Sequence, residues 1–273
     1  TSGTSESYNA CYWIDQTRYD LPGSWGEAEA IAVDGDDVYV AGWFNNGSCY
    51  WKNGQKINLT VNRDSQAFAI GVHNNGDVYV GGYYTSNHHY WIPCFWKNGT
   101  SRTNLQSGED GEVYDMVLMD GTTRYYAGNT TSLNNMLGYP PRACYWKNTR
   151  RNQLPKGGNF NSGLYGTGAL GITTDGSDIY VAGFADYIED IGDSLNTGGR
   201  FPRYWKNNSI HTLEGGPITA FGTGEAYDIR VADGSVVVVG LATRNPDYNH
   251  SFETACYWVD GEIRYLVSRY DVP

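Results

Sequence analysis

Apolar positions in this chain alternate with small or polar ones in short runs, and each run stops at a turn signal. In residues 30–42 (AIAVDGDDVYVAG), Ile31 and Val33 alternate with small residues. Asp34-Gly35 then offers the positive φ that a tight hairpin needs, and Val38-Tyr39-Val40 returns. Residues 69–82, 115–128, 170–183 and 228–240 follow the same plan. Each block leads into an aromatic pair that opens a second hairpin. Cys49-Tyr50-Trp51-Lys52, for example, meets Asn53-Gly54 and is answered by Lys56-Ile57-Asn58-Leu59. The pattern predicts units of four consecutive antiparallel strands, here called A to D in chain order.

The aromatic pairs set the period. They fall at Tyr12-Trp13, Tyr50-Trp51, Phe95-Trp96, Tyr145-Trp146, Tyr204-Trp205 and Tyr257-Trp258, with the tryptophans 38, 45, 50, 59 and 53 residues apart. Four-stranded units at this spacing predict an all-β chain folded as a β-propeller, each antiparallel sheet being one blade. A β-solenoid is the alternative, but its coils are shorter and carry one strand per face. The chain reads as a single propeller domain over residues 1–273, with a half blade at 10–21 and units at 27–59, 66–105, 112–154, 166–213 and 225–266. That count gives about six blades, one of them incomplete, with five as the alternative. Small residues on strand A (Ala30, Ala32, Ala69, Gly71, Gly171) suit blades that converge on an axis, and the strand C tryptophan is expected to pack between neighbouring blades.

The motif DVYVAG … CYWKNG resembles the repeat of secreted or lipid-anchored bacterial β-propeller proteins, especially those of the Bacteroidetes, and loosely that of tachylectin-type lectins. The resemblance covers nearly the whole chain. It implies the fold and an exported, periplasmic or cell-surface location, with a lipid anchor in the precursor, and it carries over no catalytic residue.

Charge narrows the partners. With 19 Lys and Arg against 30 Asp and Glu, the formal charge of −11 repels phosphate and acidic lipid, so nucleic acid is not an expected partner. Purely apolar runs such as residues 236–239 are far shorter than the roughly 20 residues of a membrane-spanning helix. A monomer is expected. Cys11, Cys49, Cys94, Cys144 and Cys256 each lie two residues before a strand C tryptophan, with Arg203 in that slot of the remaining unit. Equivalent slots in adjacent blades lie beyond the roughly 7 Å Cα limit for a bridge, which predicts five free thiols.

Candidate chemistry gathers on the rim that carries the B–C and D–A connections. Long B–C loops are expected at residues 82–93, 128–142, 183–202 and 240–254, and long loops on a rigid scaffold are where binding usually sits. Trp43, Tyr83, His88, His89, Trp91 and Tyr187 fall in or beside them, where rings can stack on sugars or on protein side chains. They can equally pack the loops onto the rim. Glu27, Gln66, Glu112 and Glu225 recur at the entrance to strand A, with Gly166 breaking the series, and can ring a channel mouth. Asp115 and Asp228 add inner-strand carboxylates that need partners.

No cofactor is expected. Calcium is the one alternative, at the acidic stretch of residues 186–193, which lacks EF-hand spacing and reads more simply as a solvated loop. The sequence holds no G-x-S-x-G, H-E-x-x-H, P-loop or dinucleotide fingerprint. The expectation is a non-enzymatic exported protein that binds a glycan or a protein through the long-loop face. The alternatives are a polysaccharide hydrolase or lyase using axial carboxylates, and a purely structural repeat scaffold.

Overall fold

The structure is a computed structural model that describes residues 9–23, 25–45, 47–59, 64–87, 89–106, 109–119, 122–132, 140–156, 166–189, 197–215, 223–244 and 252–266. Among these residues every regular element is a β-strand, and no helix is long and apolar enough to cross a membrane. The first sheet is a two-stranded hairpin, β1 (Cys11–Ile14) and β2 (Thr17–Asp20). Five four-stranded antiparallel sheets follow. They are β3 (Gly26–Asp34), β4 (Asp37–Phe44), β5 (Gly47–Lys52), β6 (Gln55–Asn58); then β7 (Ser65–Val72), β8 (Val78–Thr85), β9 (Trp91–Lys97), β10 (Ser101–Asn104). The next two are β11 (Glu109–Leu118), β12 (Arg124–Ser132), β13 (Arg142–Lys147), β14 (Arg150–Gln153); and β15 (Thr167–Thr174), β16 (Ile179–Glu189), β17 (Thr197–Lys206), β18 (Ser209–Thr212). The last is β19 (Gly224–Ala232), β20 (Ser235–Arg244), β21 (Phe252–Val259), β22 (Glu262–Tyr265). Spatial order equals chain order in every sheet, which is the A–B–C–D blade of a β-propeller, in six sheets of which one is a half. The chain divides into two compact units, residues 1–126 with 148–150, and residues 127–147 with 151–273.

Three devices recur from sheet to sheet. The first is the strand C tryptophan. Trp51, Trp96, Trp146, Trp205 and Trp258 are each at most 1% exposed. Each one whose cluster is defined packs against the preceding sheet: Trp96 with Tyr39, Tyr50 and Leu59, and Trp258 with Tyr180 and Leu213. The leucine is held in place by its own backbone, Leu59 donating to the Ser48 carbonyl at 3.1 Å and Leu105 to that of Pro93 at 2.8 Å. Cys49, Cys94 and Cys256 share the clusters of their tryptophans, and all five cysteines are free. Desolvation pushes the Cys49 and Cys256 thiols up to about 12, so they behave as small apolar residues.

The second device is a bulge in strand A, which the alternation pattern did not foretell. Register shifts fall between Ala28 and Ala30, Ala67 and Ala69, Ala169 and Gly171, and Ala226 and Asp228. Opposite each bulge stands the glycine that closes the VAG, VGG or VVG run of strand B. A Cβ on Gly42, Gly82, Gly183 or Gly240 would meet the carbonyl oxygen of residue 27, 66, 168 or 225 at 1.9–2.0 Å. The recurring glycine is therefore a steric requirement of the bulge. Register also corrects the strand A series: the slot of Glu27, Gln66 and Glu225 is filled in β15 by Gly168, not Gly166.

The third device is the C–D turn. Asn53, Asn98 and Asn207 adopt positive φ and reach back to strand B. Asn98 accepts from the Val78 amide at 2.8 Å and donates to Asp77 at 2.8 Å, while Lys97 pairs with Asp77 at 2.6 Å. Lys97, Asn98 and Asn75 together lower the Asp77 carboxyl to about 2. The same triad recurs as Asp37, Lys52 and Asn53, and as Asp178, Lys206 and Asn207. The lysine and asparagine of the YWKN motif thus answer the aspartate that opens strand B.

Candidate functional site

Two corners, one in each compact unit, are built on the same plan. Each takes one residue from strand C, five positions before the tryptophan, an aromatic from the neighbouring strand B, and a glutamate from strand A of the next sheet. The glutamates sit in nearly identical segments, residues 111–115 (GEVYD) and 224–228 (GEAYD). The tyrosine two residues on, Tyr114 or Tyr227, donates its hydroxyl to the glutamate, Glu112 or Glu225. The following aspartate is turned inward to its own backbone, Asp115 accepting from the Met116 amide at 2.7 Å and Asp228 from that of Ile229 at 2.8 Å. These two carboxylates stabilise the strand, and Asp228 also pairs with Arg230 at 2.7 Å.

At the first corner the strand C residue is Trp91, 47% exposed, stacked on buried Tyr83 with ring centroids 5.1 Å apart. Phe68, the bulge residue of β7, continues the run of rings, 6.0 Å from Tyr83 and 5.6 Å from Tyr114. The Trp91 amide donates to Asp110 at 2.7 Å, which ties β9 to the start of β11. Desolvation raises the Glu112 carboxyl above the ordinary carboxylate range, Tyr114 opposing and Asp110 adding to the shift. Desolvation, then the Glu112 charge, also raises the Tyr83 phenol, which places Glu112 within electrostatic reach of the aromatic stack.

At the second corner the strand C residue is Arg200. Its guanidinium lies over the Phe184 ring at 3.8 Å, in the slot where Trp91 lies over Tyr83. It donates to Asp186 at 2.8 Å and to Glu225. Burial works against its charge, but Asp186 and Glu225 outweigh it and the net shift is upward. Thr223 donates to Glu253, and desolvation followed by the Glu225 hydrogen bond pushes the Tyr227 phenol up to about 12. With Leu241 these groups line a cavity of about 390 Å³. It offers three carboxylates, a guanidinium, a phenol and a hydroxyl to a polar ligand.

The remaining candidates are spread along the strands. Glu27 pairs across from Trp43, and Gln66 from Tyr83. Glu29, the bulge residue between Ala28 and Ala30, has its carboxyl raised by desolvation and by Glu27. Trp43, Tyr83 and Trp91 stand on β4, β8 and β9 rather than on loops, because pairing resumes beyond the bulge and carries strands B and C outward. Residues 183–202 likewise form a strand extension through Glu189 and back from Thr197, so Tyr187 is paired with Gly199. The side chain of Tyr187 lies outside the described residues, as does His88. His89 is exposed, at φ 63°, in a turn closed by its amide on the Ser86 carbonyl at 3.0 Å. Of the acidic stretch 186–193 only the side chain of Asp186 is described, and it serves Arg200. Among the described residues no group of three His, Cys, Asp or Glu is placed to hold a metal ion.

Arg200, Glu253 and Phe68 are missing from the sequence-derived set, and Asp186 entered it only as part of the acidic stretch weighed for calcium. Counting back five residues from each strand C tryptophan would have found Arg200 and Glu253, since that slot holds Trp91, Arg200 and Glu253 before Trp96, Trp205 and Trp258. Phe68 and Asp186 join their corners only through the bulge and the extended β16–β17 pair.

No protein-family model matches the chain, and no curated protein matches it. Among solved structures it is similar to a thermostable family-43 glycoside hydrolase, at 11% identity over 87% of this chain and 91% of that one, with a TM-score of 0.46. It is also similar to the β-propeller domain of the Trilobed protease from Pyrococcus furiosus, at 10% identity over 93% and 72% of the two chains, TM-score 0.46. An α-L-arabinanase of Cellvibrio cellulosa solved with arabinohexaose is similar at 10% identity over 86% and 94%, TM-score 0.40. At these scores the likenesses assign no residue and no activity.

Proposed function

We propose that this chain is a non-enzymatic binding propeller that recognises a glycan at the Trp91 corner. The observation that carries the reading is Trp91 itself: a half-exposed indole braced from behind by Tyr83, with the Glu112 and Asp110 carboxylates of the next sheet beside it. A rigid exposed ring takes the apolar face of a sugar, and neighbouring carboxylates accept from its hydroxyls. The repeat resemblance supports an exported, periplasmic or cell-surface location for such a protein. A glycan array followed by titration of intrinsic tryptophan fluorescence tests the reading. Trp91→Ala should weaken binding of any glycan hit by about ten-fold or more, about 1.4 kcal/mol, and Trp91→Phe should retain most of it. Silence across the array, or a hit whose affinity is the same in Trp91→Ala, sinks the assignment and turns attention to a protein partner.

One observation favours a hydrolase instead. Glu112, raised by desolvation, has the character of a general acid. Release of reducing ends from a bound polysaccharide, abolished in Glu112→Gln, would replace the binding reading with that one.

A further inference from the structure

We propose that the cavity at the Arg200 corner is a binding site in its own right, for a small molecule that carries a primary ammonium group. The cavity is built within one compact unit, from Asp186 on β16, Arg200 on β17, Glu225 and Tyr227 on β19, Leu241 on β20 and Glu253 on β21, with Thr223 immediately before β19. Its volume of about 390 Å³ lies in the range of small-molecule pockets.

The polar groups of the wall are held by the strands around them. Arg200 faces Asp186 across the β16–β17 pair, and a backbone bridge joins Arg200 to Thr223. The Thr243 hydroxyl accepts from the Thr223 amide at 2.8 Å and donates to the Thr223 carbonyl at 2.9 Å. Thr243 itself stands opposite Glu253 in the β20–β21 pair, and Thr223 donates its hydroxyl to Glu253. The threonine pair thus fixes where the Glu253 carboxylate sits.

Charge defines the occupant. Three carboxylates line the cavity against one guanidinium. That guanidinium is committed to Asp186 and Glu225 and lies over the Phe184 ring, and the second oxygen of Asp186 accepts from the Gly166 amide at 3.3 Å. Glu253 receives the neutral Thr223 hydroxyl, and among the described residues no cation pairs with it. An ammonium donating to Glu253 makes a charge-assisted hydrogen bond and relieves the excess of negative charge. An anion meets three carboxylates and a guanidinium already paired. The Tyr227 phenol, raised first by desolvation and the Glu225 hydrogen bond, also feels the charges of both Glu225 and Glu253, so the two carboxylates act on one part of the cavity. Tyr227, 44% exposed, and Leu241 add a ring and an apolar side chain to the same wall, which suit the hydrocarbon body that bears the ammonium. Among the described residues the carboxylates are not grouped as metal ligands, which favours an organic cation.

The test is calorimetric titration of the full chain at low salt with glucosamine and with cadaverine, using N-acetylglucosamine and pentanediol as the uncharged counterparts. At least one amine should bind saturably, with a Kd of about 1 mM or tighter, and its counterpart should not. Binding of glucosamine alone assigns the site to amino sugars, and binding of cadaverine alone assigns it to alkylamines. Glu253→Gln, an isosteric change at an exposed residue, should leave the thermal melt unchanged and weaken binding about ten-fold or more, while Glu253→Asp retains part of it. No saturable binding of either amine, equal binding of the uncharged counterparts, or unaltered affinity in Glu253→Gln overturns the proposal.

Discussion

Residues 111–115 and 224–228 differ at one position, valine against alanine, yet the two corners they build surround the glutamate with different groups. Glu112 has a tyrosine hydroxyl and an indole stack for company, and desolvation keeps its proton on to higher pH than usual. Glu225 has the same tyrosine hydroxyl and a guanidinium in place of the indole. The strand A segment therefore does not decide the chemistry of its own glutamate. The residue five positions before the preceding strand C tryptophan does: Arg200 reaches Glu225 with its guanidinium, whereas Trp91 stacks on Tyr83 and leaves Glu112 to its tyrosine. The two corners share a strand frame, and the residue in this slot makes one aromatic and the other ionic.

The largest effect should come from removing the frame under either corner. Trp96→Ala and Trp205→Ala should each cost about 3–5 kcal/mol in urea denaturation, since both indoles are fully buried. Trp13→Ala, at a residue 60% exposed, should cost under about 1 kcal/mol. A small loss at Trp205 would mean that the two corners do not share a frame, and the comparison would fail at its base.

Arg200→Met comes next, at about 1–3 kcal/mol, between the values for exposed and buried ion pairs, because it leaves Asp186 and Glu225 facing each other in a partly buried cavity. The matching change Trp91→Ala should cost under about 1 kcal/mol, as its ring is half exposed. Equal costs for the two would show that Arg200 acts as a packing residue rather than as the counter-charge.

Glu112→Gln gives the smallest effect and a distinctive pH profile. A carboxyl raised in the folded state favours folding below its unfolded value of 4.5, and that contribution is lost as pH rises through the raised value. The glutamine variant should therefore match the parent near pH 4 and exceed it by up to about 1 kcal/mol at pH 7. Denaturation midpoints that run parallel across this range would show that Glu112 titrates like a solvated carboxylate.

Much of the frame was legible in the chain. Aromatic pairs at a period near fifty mark strand C, positive-φ turn residues mark the hairpins, and cysteines locked to the tryptophan phase read as free thiols, as they are. These features are local or periodic, so one unit explains the next. The bulge was not legible, since an inserted residue such as Phe68 or Tyr227 looks like ordinary alternation until its register is known. Missing it misplaced the break in the glutamate series by two residues, at Gly166 rather than Gly168, and turned the extended β16–β17 pair into a loop. The corners were half legible: Glu112, Glu225, Tyr83 and Trp91 were named, but not that they group as they do, nor that Arg200 joins them.

The sequence by itself determined the strands, their hairpin order, the six-sheet repeat and the residues that seal one sheet against the next, because alternation, turn chemistry and a buried tryptophan act over a few residues and then recur. Only the tertiary structure decided which rings stack, which carboxyl burial pushes upward and which carboxylates meet Arg200. Those properties depend on side chains from different strands meeting across a register shift, and on the low-dielectric surroundings that such a meeting creates.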